Sequence, residues 1–161
     1  MKIRSVLCGI TAVVLLAACA SPGAQTGGPR ASKTCPGNSC DVEVSVVMVG
    51  GTPTVQVDFD ELRFPRGNQN VTLTWKLKDS PQWQFKDTSI APHTGAPVAG
   101  KETTSANEWR SQISFRNSSA VTYVVQNANN KPAKLSYNIT VFRKSDNTPV
   151  TLDPTLLNDG I

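Results

Sequence analysis

Alternation of apolar and polar residues with a period of two runs through most of this chain and restricts it to folds built from strands. The cleanest stretch is VTLTWKLK, residues 71–78, in which Val, Leu, Trp and Leu alternate with threonine and lysine. The pattern recurs in DVEVSVVMV, TVQVDF, WRSQISFR, VTYVVQN, KLSYNITVFR and PVTL. One-sided alternation is typical of antiparallel sheets with one face in water. Seven or eight such strands separated by turns predict an all-β, antiparallel β-sandwich.

The same alternation predicts which side chains are buried. In the first strand the inward set is Val42, Val44, Val46 and Met48. A strand formed by WRSQISFR is expected to direct Trp109, Ile113 and Phe115 into the core. Apart from a single turn near residues 60–62, the sequence shows no convincing helical period, so we expect no helix.

This set of strands resembles immunoglobulin-like and cupredoxin-like sandwiches at the level of architecture. The Cys–Trp–Cys arrangement of immunoglobulin domains is missing, because Cys35 and Cys40 both precede the first predicted strand. Cupredoxin copper sites use two histidines and a cysteine, whereas this chain has one histidine. A resemblance in architecture carries no function by itself.

The first eighteen residues have the composition of a secretory signal. Lys2 and Arg4 form a positive segment, and residues 6–18, VLCGITAVVLLAA, form an apolar segment that ends in small residues. This apolar run is shorter than the roughly 20 residues of a membrane-spanning helix. The sequence therefore predicts a signal peptide at residues 1–18.

At the end of that segment, Leu16-Ala17-Ala18-Cys19 resembles the lipobox of bacterial lipoprotein precursors. The resemblance implies that Cys19 receives a diacylglyceryl group, that a peptidase cuts before it, and that its new amine is acylated. Two or more acyl chains anchor a protein firmly, whereas a single chain binds only marginally. Ala20 stands where lipoproteins of enteric type carry an inner-membrane retention Asp. We therefore expect an outer-membrane location facing the periplasm in a Gram-negative host. An ordinary signal peptide with an incidental Cys19 is the alternative.

Residues 19–34 are rich in Gly, Pro, Ser, Ala and Thr and lack an apolar period, which predicts a flexible tether. Such a tether would hold the domain on the order of 20 Å from the membrane. The folded domain is expected at residues 35–161, a length that suits one domain with one core.

Cys35 and Cys40 flank four turn-forming residues in CPGNSC. In an oxidising compartment they predict one disulfide that fixes how the tether joins the first strand. A metal site is the rival interpretation, but it would need further soft ligands, and only His93 and Met48 are available in the mature chain. A redox-active C-x-x-C motif has a different spacing.

Charge argues against nucleic-acid binding. Removal of the predicted signal peptide would remove two of the 16 basic residues, and the remaining chain would carry 14 basic and 12 acidic residues. Nucleic-acid-binding domains need a basic stripe, and this surface is nearly balanced.

His93 is the one histidine, and it lies in a loop-like segment between Pro92 and Thr94, where a solvated side chain is typical. A catalytic interpretation would pair it with Ser89 or Ser105, although no nucleophile-elbow glycine pattern surrounds any serine. A metal-binding or enzymatic alternative would use His93 with Asp87 or Glu102. Because no set of partner ligands has a recognisable spacing, we expect no cofactor and no stoichiometric transition metal.

Two further features are candidates for binding. Residues 58–61, DFDE, offer oxygen ligands for Ca²⁺ or, more simply, a solvated strand end. Trp83 precedes residues 85–107, the longest segment without strand alternation. Its side chain is either an exposed aromatic surface on which a sugar or a partner stacks, or a core residue that closes one end of the sandwich. Deletion of residues 91–104 is expected to leave the sheet intact and to remove partner capture.

These observations predict a non-enzymatic, lipid-anchored binding or envelope-interaction module whose partner is an envelope protein or a glycan. A carbohydrate- or peptidoglycan-binding domain that uses Trp83 and the long segment is the first alternative. The metal-binding or enzymatic sandwich built on His93 is the second. The observation that separates these alternatives is whether His93 lies within ligand distance of two other side chains in the folded domain.

Overall fold

The computed structural model describes residues 31–95 and 102–160, which form twelve β-strands and one short α-helix. The elements in chain order are β1 (Ser32–Thr34), β2 (Ser39–Val49), β3 (Thr52–Val57), β4 (Glu61–Phe64), β5 (Val71–Leu77), β6 (Trp83–Gln84), β7 (Ile90–Pro92), α1 (Ala106–Gln112), β8 (Ile113–Ser118), β9 (Thr122–Asn127), β10 (Pro132–Arg143), β11 (Pro149–Leu152) and β12 (Thr155–Asp159). Two sheets pack against each other, which confirms the all-β sandwich.

The two sheets share the strands unequally. The first sheet has the order β1-β4-β12-β10-β11, and β6 and β7 also pair with β10. The second sheet has the order β3-β2-β5-β9-β8. Strand β10 is therefore the central element of the first sheet and has neighbours on both of its edges. In the part of the chain that the structure describes, no helix is long and apolar enough to cross a membrane.

Both sheets are mixed, which differs from the expectation of antiparallel pairing throughout. Strand β2 pairs in parallel with β5, and β4 pairs in parallel with both β1 and β12. Between β2 and β5 the chain crosses to the first sheet to form β4, so β5 returns beside β2 in the same direction. Alternation in the sequence indicates the face of the sheet on which a side chain lies, but it does not indicate whether neighbouring strands are parallel or antiparallel.

The strand count exceeds the predicted seven or eight because several strands are very short. Strands β1, β6 and β7 contain two or three residues each, too few for alternation to be visible. Strand β1 also moves the start of the fold to Ser32, so the last three residues of the predicted tether belong to the sheet. The remainder of that tether, before residue 31, lies outside the described residues.

The helix α1 replaces part of a predicted strand. Trp109 lies in α1, and the strand that follows begins at Ile113. The Ser105 hydroxyl caps the helix by accepting a hydrogen bond from the Glu108 backbone N–H at 3.1 Å. A serine followed three residues later by glutamate is a recognised helix-start signal. Trp109 and Ile113 are buried as expected, although Trp109 reaches the core from a helix.

The core is centred on β5. Val71, Leu73 and Trp75 are fully buried, as the alternation of residues 71–78 predicts. The Trp75 ring packs edge-on against Tyr123 of the same sheet, at 6.2 Å between centroids, and against Tyr137 of the opposite sheet, at 5.8 Å. Edge-to-face aromatic pairs add to the stability that burial alone provides.

Two predicted core residues are exposed instead. Met48 is 65% exposed because β2 extends past the core towards its hairpin with β3. Phe115 is 50% exposed because β8 is the edge strand of the second sheet, although its ring contacts Tyr123 at 5.3 Å. A periodic pattern assigns a face, whereas burial depends on what the other sheet covers.

The Cys35–Cys40 disulfide is present, as predicted, with 5.5 Å between the Cα atoms. Cys35 follows β1 in the first sheet, where its N–H donates to the Arg63 carbonyl at 2.8 Å. Cys40 lies in β2 of the second sheet, opposite Leu73 of β5. The bridge therefore joins the two sheets at the point where the chain passes from one to the other.

We predict that Cys35→Ala lowers the free energy of unfolding by about 1–3 kcal/mol, because the closed loop is short. Urea denaturation followed by circular dichroism measures the loss, and reduced wild-type protein is the matched control. Protein made in an oxidising compartment should weigh two hydrogen atoms less than its reduced form. Free Cys35 and Cys40 thiols under denaturing conditions would contradict the bridge.

Four buried carboxamide side chains meet at the end of the sandwich near residue 160, and we call them the carboxamide cluster: Gln112, Asn127, Asn129 and Asn158. Asn127 and Asn158 donate to each other's side-chain oxygens at 2.7 and 3.0 Å. Asn158 also donates to Gln112 at 3.2 Å. The cluster thus ties together α1, β9 and β12.

Asn129 extends the cluster into the backbone. Its amide donates to the carbonyls of Pro65 and Asn68 at 2.9 and 2.8 Å, and its side-chain oxygen accepts the Gly160 N–H at 3.0 Å. Its own φ of 43° lies in the left-handed region, which Asn tolerates well. Sequence reasoning missed this cluster, because buried and exposed asparagines look alike in a list of turn-forming residues.

Candidate functional site

His93 is buried against the first sheet, which corrects the expectation of a solvated loop residue. It directly follows β7, and the residue is only 7% exposed. Its N–H donates to the Ser136 carbonyl at 2.9 Å, and its own carbonyl accepts the Thr104 N–H at 2.9 Å. The Thr104 hydroxyl in turn accepts the Ser136 N–H at 2.7 Å. The backbone of Ser136 therefore holds both His93 and Thr104 on β10.

The strand register explains which side chains surround His93. Strands β11 and β12 pair with β10 in one continuous register, from Ile139↔Leu152 to Ser136↔Thr155. Asp153, between these two strands, consequently lies opposite Asn138. On the other edge of β10, the pairing of Tyr137 with Pro92 places His93 opposite Ser136. Because Leu135 and Tyr137 face the core, Ser136 and Asn138 face outward together with His93 and Asp153.

The imidazole Nδ1 lies between two side-chain oxygens. Asn138 Oδ1 is 2.9 Å from it, and Asp153 Oδ1 is 3.7 Å from it. The Asp153 side chain is 29% exposed, so the group opens to solvent on that side. Two side chains therefore lie beside His93, of which Asn138 is at hydrogen-bond distance and Asp153 is farther away. We call His93, Asn138 and Asp153 the His93 cluster.

The partners predicted for His93 are engaged elsewhere. The Asp87 carboxylate accepts a hydrogen bond from Ser118, and Glu102 is exposed. The Ser89 hydroxyl accepts the Lys86 N–H at 2.8 Å, and Ser105 caps α1. Sequence spacing could not reveal the real neighbours, since Asn138 is 45 residues from His93.

Trp83 closes one end of the sandwich. The residue is 7% exposed, and the Arg143 guanidinium lies over its ring at 5.3 Å from the centroid. Trp83 and Arg143 are also directly opposite each other in the pairing of β6 with β10. A sugar stacked on this ring would first have to displace Arg143. The geometry therefore favours Trp83 as a residue that closes the end of the sandwich over Trp83 as a binding surface.

Residues 85–107 are more structured than the sequence indicates. They include β7 and the start of α1, and Phe85, Ser89 and Ile90 are buried. The Tyr123 hydroxyl donates to the Asp87 carbonyl at 2.9 Å and so links this segment to the second sheet. Burial, and secondly the Asp87 carboxylate, raises the pKa of Tyr123 to about 12, so this phenol remains protonated and a donor at neutral pH.

The deletion of residues 91–104 is therefore poorly placed as a test of partner capture. It would remove Ala91 and Pro92 of β7 together with the buried His93 and Thr104. Residues 96–101 lie outside the described part of the chain.

Residues 58–61, the candidate calcium ligands, do not form one exposed acidic group. Asp58 is exposed and pairs with Lys33 at 3.6 Å, while the adjacent Phe59 is buried. Among residues 31–95 and 102–160, no three His, Cys, Asp or Glu side chains lie together at metal-binding distance. Asp58 also borders a shallow surface pocket of about 240 Å³ on the second sheet, lined by Glu43, Ser45, Gln56, Val57, Asp58 and Lys78.

Ion pairs occupy much of the surface around this pocket. Lys78 contacts Glu43 at 2.9 Å, and Lys76 contacts Asp41 on the neighbouring rung of the sheet. Exposed pairs of this kind contribute little to stability. In each of these two pairs one positive charge offsets one negative charge on the outer face of the second sheet.

Comparison with known proteins finds no family model that matches this chain and no curated protein that matches it. The predicted signal peptide, the lipobox and Cys19 lie outside the described residues.

Proposed function

We propose that this protein is a lipid-anchored lipoprotein of the bacterial cell envelope and that its β-sandwich is a non-enzymatic interaction module. One observation carries the proposal: Leu16-Ala17-Ala18-Cys19 ends an apolar signal-like segment, and folded structure follows from Ser32 onwards. The partner we propose is an envelope protein or a glycan. In a Gram-negative host, Ala20 in place of Asp favours the outer membrane, with the domain facing the periplasm.

The geometry of the domain supports presentation close to a membrane. Only residues 20–31 separate Cys19 from β1, and a flexible chain of that length spans on the order of 20 Å. Strand β1 and the Cys35–Cys40 bridge fix where the tether joins the two sheets. A folded domain on a short flexible tether would stay within a limited range of the anchor, which suits contact with other envelope components.

We predict that Cys19→Ser abolishes lipid attachment, because the Cys19 thiol is the atom that would be acylated. Cells that express the wild type or the variant are labelled with a radioactive fatty acid, and the protein is then isolated. The wild type should carry label and migrate as the processed form. The variant should be unlabelled and should accumulate as an uncleaved or mis-cleaved precursor.

Cys8→Ser is the matched control, since Cys8 lies within the apolar segment and precedes the proposed cleavage point. This variant should be labelled and processed like the wild type. Equal incorporation of fatty acid in wild type and Cys19→Ser would refute the lipoprotein proposal.

A further inference from the structure

The His93 cluster has the dimensions of a metal-binding site. A divalent zinc-like ion binds imidazole nitrogen and carboxylate oxygen at about 2.0–2.2 Å, which places neighbouring ligand atoms about 3.0–3.5 Å apart. The distances from His93 Nδ1 to Asn138 Oδ1 and Asp153 Oδ1, 2.9 and 3.7 Å, lie on either side of that interval. Relative to His93 Nδ1, each oxygen would have to move by only a few tenths of an ångström to reach that interval.

A second observation at the same place is the buried hydroxyl of Ser136. Ser136 is 1% exposed, and within the described residues its Oγ has no hydrogen-bond partner. Ser136 lies on the outward face of β10 with Asn138 and is directly opposite His93. Buried hydroxyl groups are normally hydrogen-bonded. A water molecule bound to an ion in the cluster would provide the missing partner.

We propose, against the expectation from residue spacing in the sequence, that His93, Asn138 and Asp153 bind an exchangeable divalent transition-metal ion. One nitrogen and two oxygen donors suit zinc or a similar ion better than a softer, thiolate-seeking one. Water would complete the coordination on the side where Asp153 is exposed. The ion would join β10, the residue after β7 and the link between β11 and β12, and so would fasten the start of the segment that follows His93.

The simpler interpretation is a hydrogen bond from His93 Nδ1–H to Asn138, without any ion. That bond accounts for the 2.9 Å distance. It leaves Asp153, 3.7 Å away, beyond hydrogen-bond distance and leaves the Ser136 hydroxyl unexplained. A bound ion would give Asp153 a role as a ligand and, through its water, would give the Ser136 hydroxyl a partner. The two interpretations predict different responses to added metal.

Because His93 is the one histidine of the chain, its imidazole C–H resonances report on this site without interference from another histidine. We expect Zn²⁺, added to the purified full protein after chelator dialysis, to shift these proton NMR signals with saturation at one equivalent per chain. Mg²⁺ and Ca²⁺ at the same concentration should leave them unchanged. Co²⁺, which is paramagnetic, should shift or broaden the same signals first.

Two variants test the oxygen ligands, and both should weaken Zn²⁺ binding at least about tenfold. They are Asp153→Asn, which keeps the shape of the side chain, and Asn138→Ala. Asp58→Asn is the matched control, because Asp58 is an exposed carboxylate that pairs with Lys33 on the protein surface. It should bind Zn²⁺ like the wild type.

The proposal is overturned if millimolar Zn²⁺ leaves the His93 signals unchanged. It is also overturned if Asp153→Asn and Asn138→Ala both bind Zn²⁺ as tightly as the wild type, since His93 alone would then be the ligand. An equal response to Mg²⁺ or Ca²⁺ would contradict a transition-metal site. None of these outcomes depends on whether Cys19 carries lipid.

Discussion

Replacing Asn129 with alanine should lower the free energy of unfolding by about 3–6 kcal/mol, since it removes hydrogen bonds to three buried or half-buried backbone groups and leaves alanine in a left-handed backbone. These groups are the carbonyls of Pro65 and Asn68 and the N–H of Gly160. The two carbonyls belong to the loop between β4 and β5, and the N–H follows β12, so Asn129 connects both segments to the end of β9. Denaturant unfolding followed by circular dichroism and by tryptophan fluorescence measures the loss.

Asn147→Ala is the matched control for this experiment. Asn147 also has a left-handed backbone, with φ of 58°, but it is exposed in the turn between β10 and β11. Its replacement should cost only about 1–2 kcal/mol, the penalty for alanine in that conformation. If the two variants lose the same stability, the carboxamide cluster contributes nothing beyond the backbone effect.

Trp75→Ala should lower the free energy of unfolding by about 3–5 kcal/mol, because it opens a cavity in the centre of the core. The Trp75 side chain is fully buried between Tyr123 of its own sheet and Tyr137 of the opposite sheet. Removing the indole therefore weakens packing within one sheet and between the two. The midpoint of urea unfolding gives the effect directly.

Trp75→Phe is the matched control for the size of the cavity. Phenylalanine removes part of the volume of the indole but keeps an aromatic ring between Tyr123 and Tyr137. Its loss of stability should be clearly smaller than that of alanine. A Trp75→Ala protein that unfolds at the wild-type urea concentration would show that this residue is not part of the core.

The sandwich and its disulfide could be predicted from the sequence because both depend on local patterns. Residues 71–78 alternate cleanly, and Cys35 and Cys40 are separated by turn-forming residues alone. Burial at the margins could not be predicted in the same way. Met48 and Phe115 have the right period, but one lies beyond the core and the other lies on an edge strand.

The candidate site illustrates the same limit. His93 stands out in the sequence because it is the one histidine, yet its neighbours come from β10 and from the link between β11 and β12. They meet because β10 pairs with strands on both edges, a long-range property that residue spacing does not encode. The helix α1 is a different case, because Ser105 and Glu108 form a local helix-start signal in the sequence. The residues that follow them also fit a strand period, and this pattern led to the prediction of a strand.

The position of β12 has a consequence for the order of assembly. Strand β12 follows all the other described strands in the chain, yet it lies between β4 and β10 in the first sheet. During synthesis from the N-terminus, β4 is completed long before β12, its neighbour in the first sheet. Contacts between segments so distant in sequence form slowly. The second sheet, by contrast, has all five of its strands by Asn127, so it can pair while the first sheet is still incomplete.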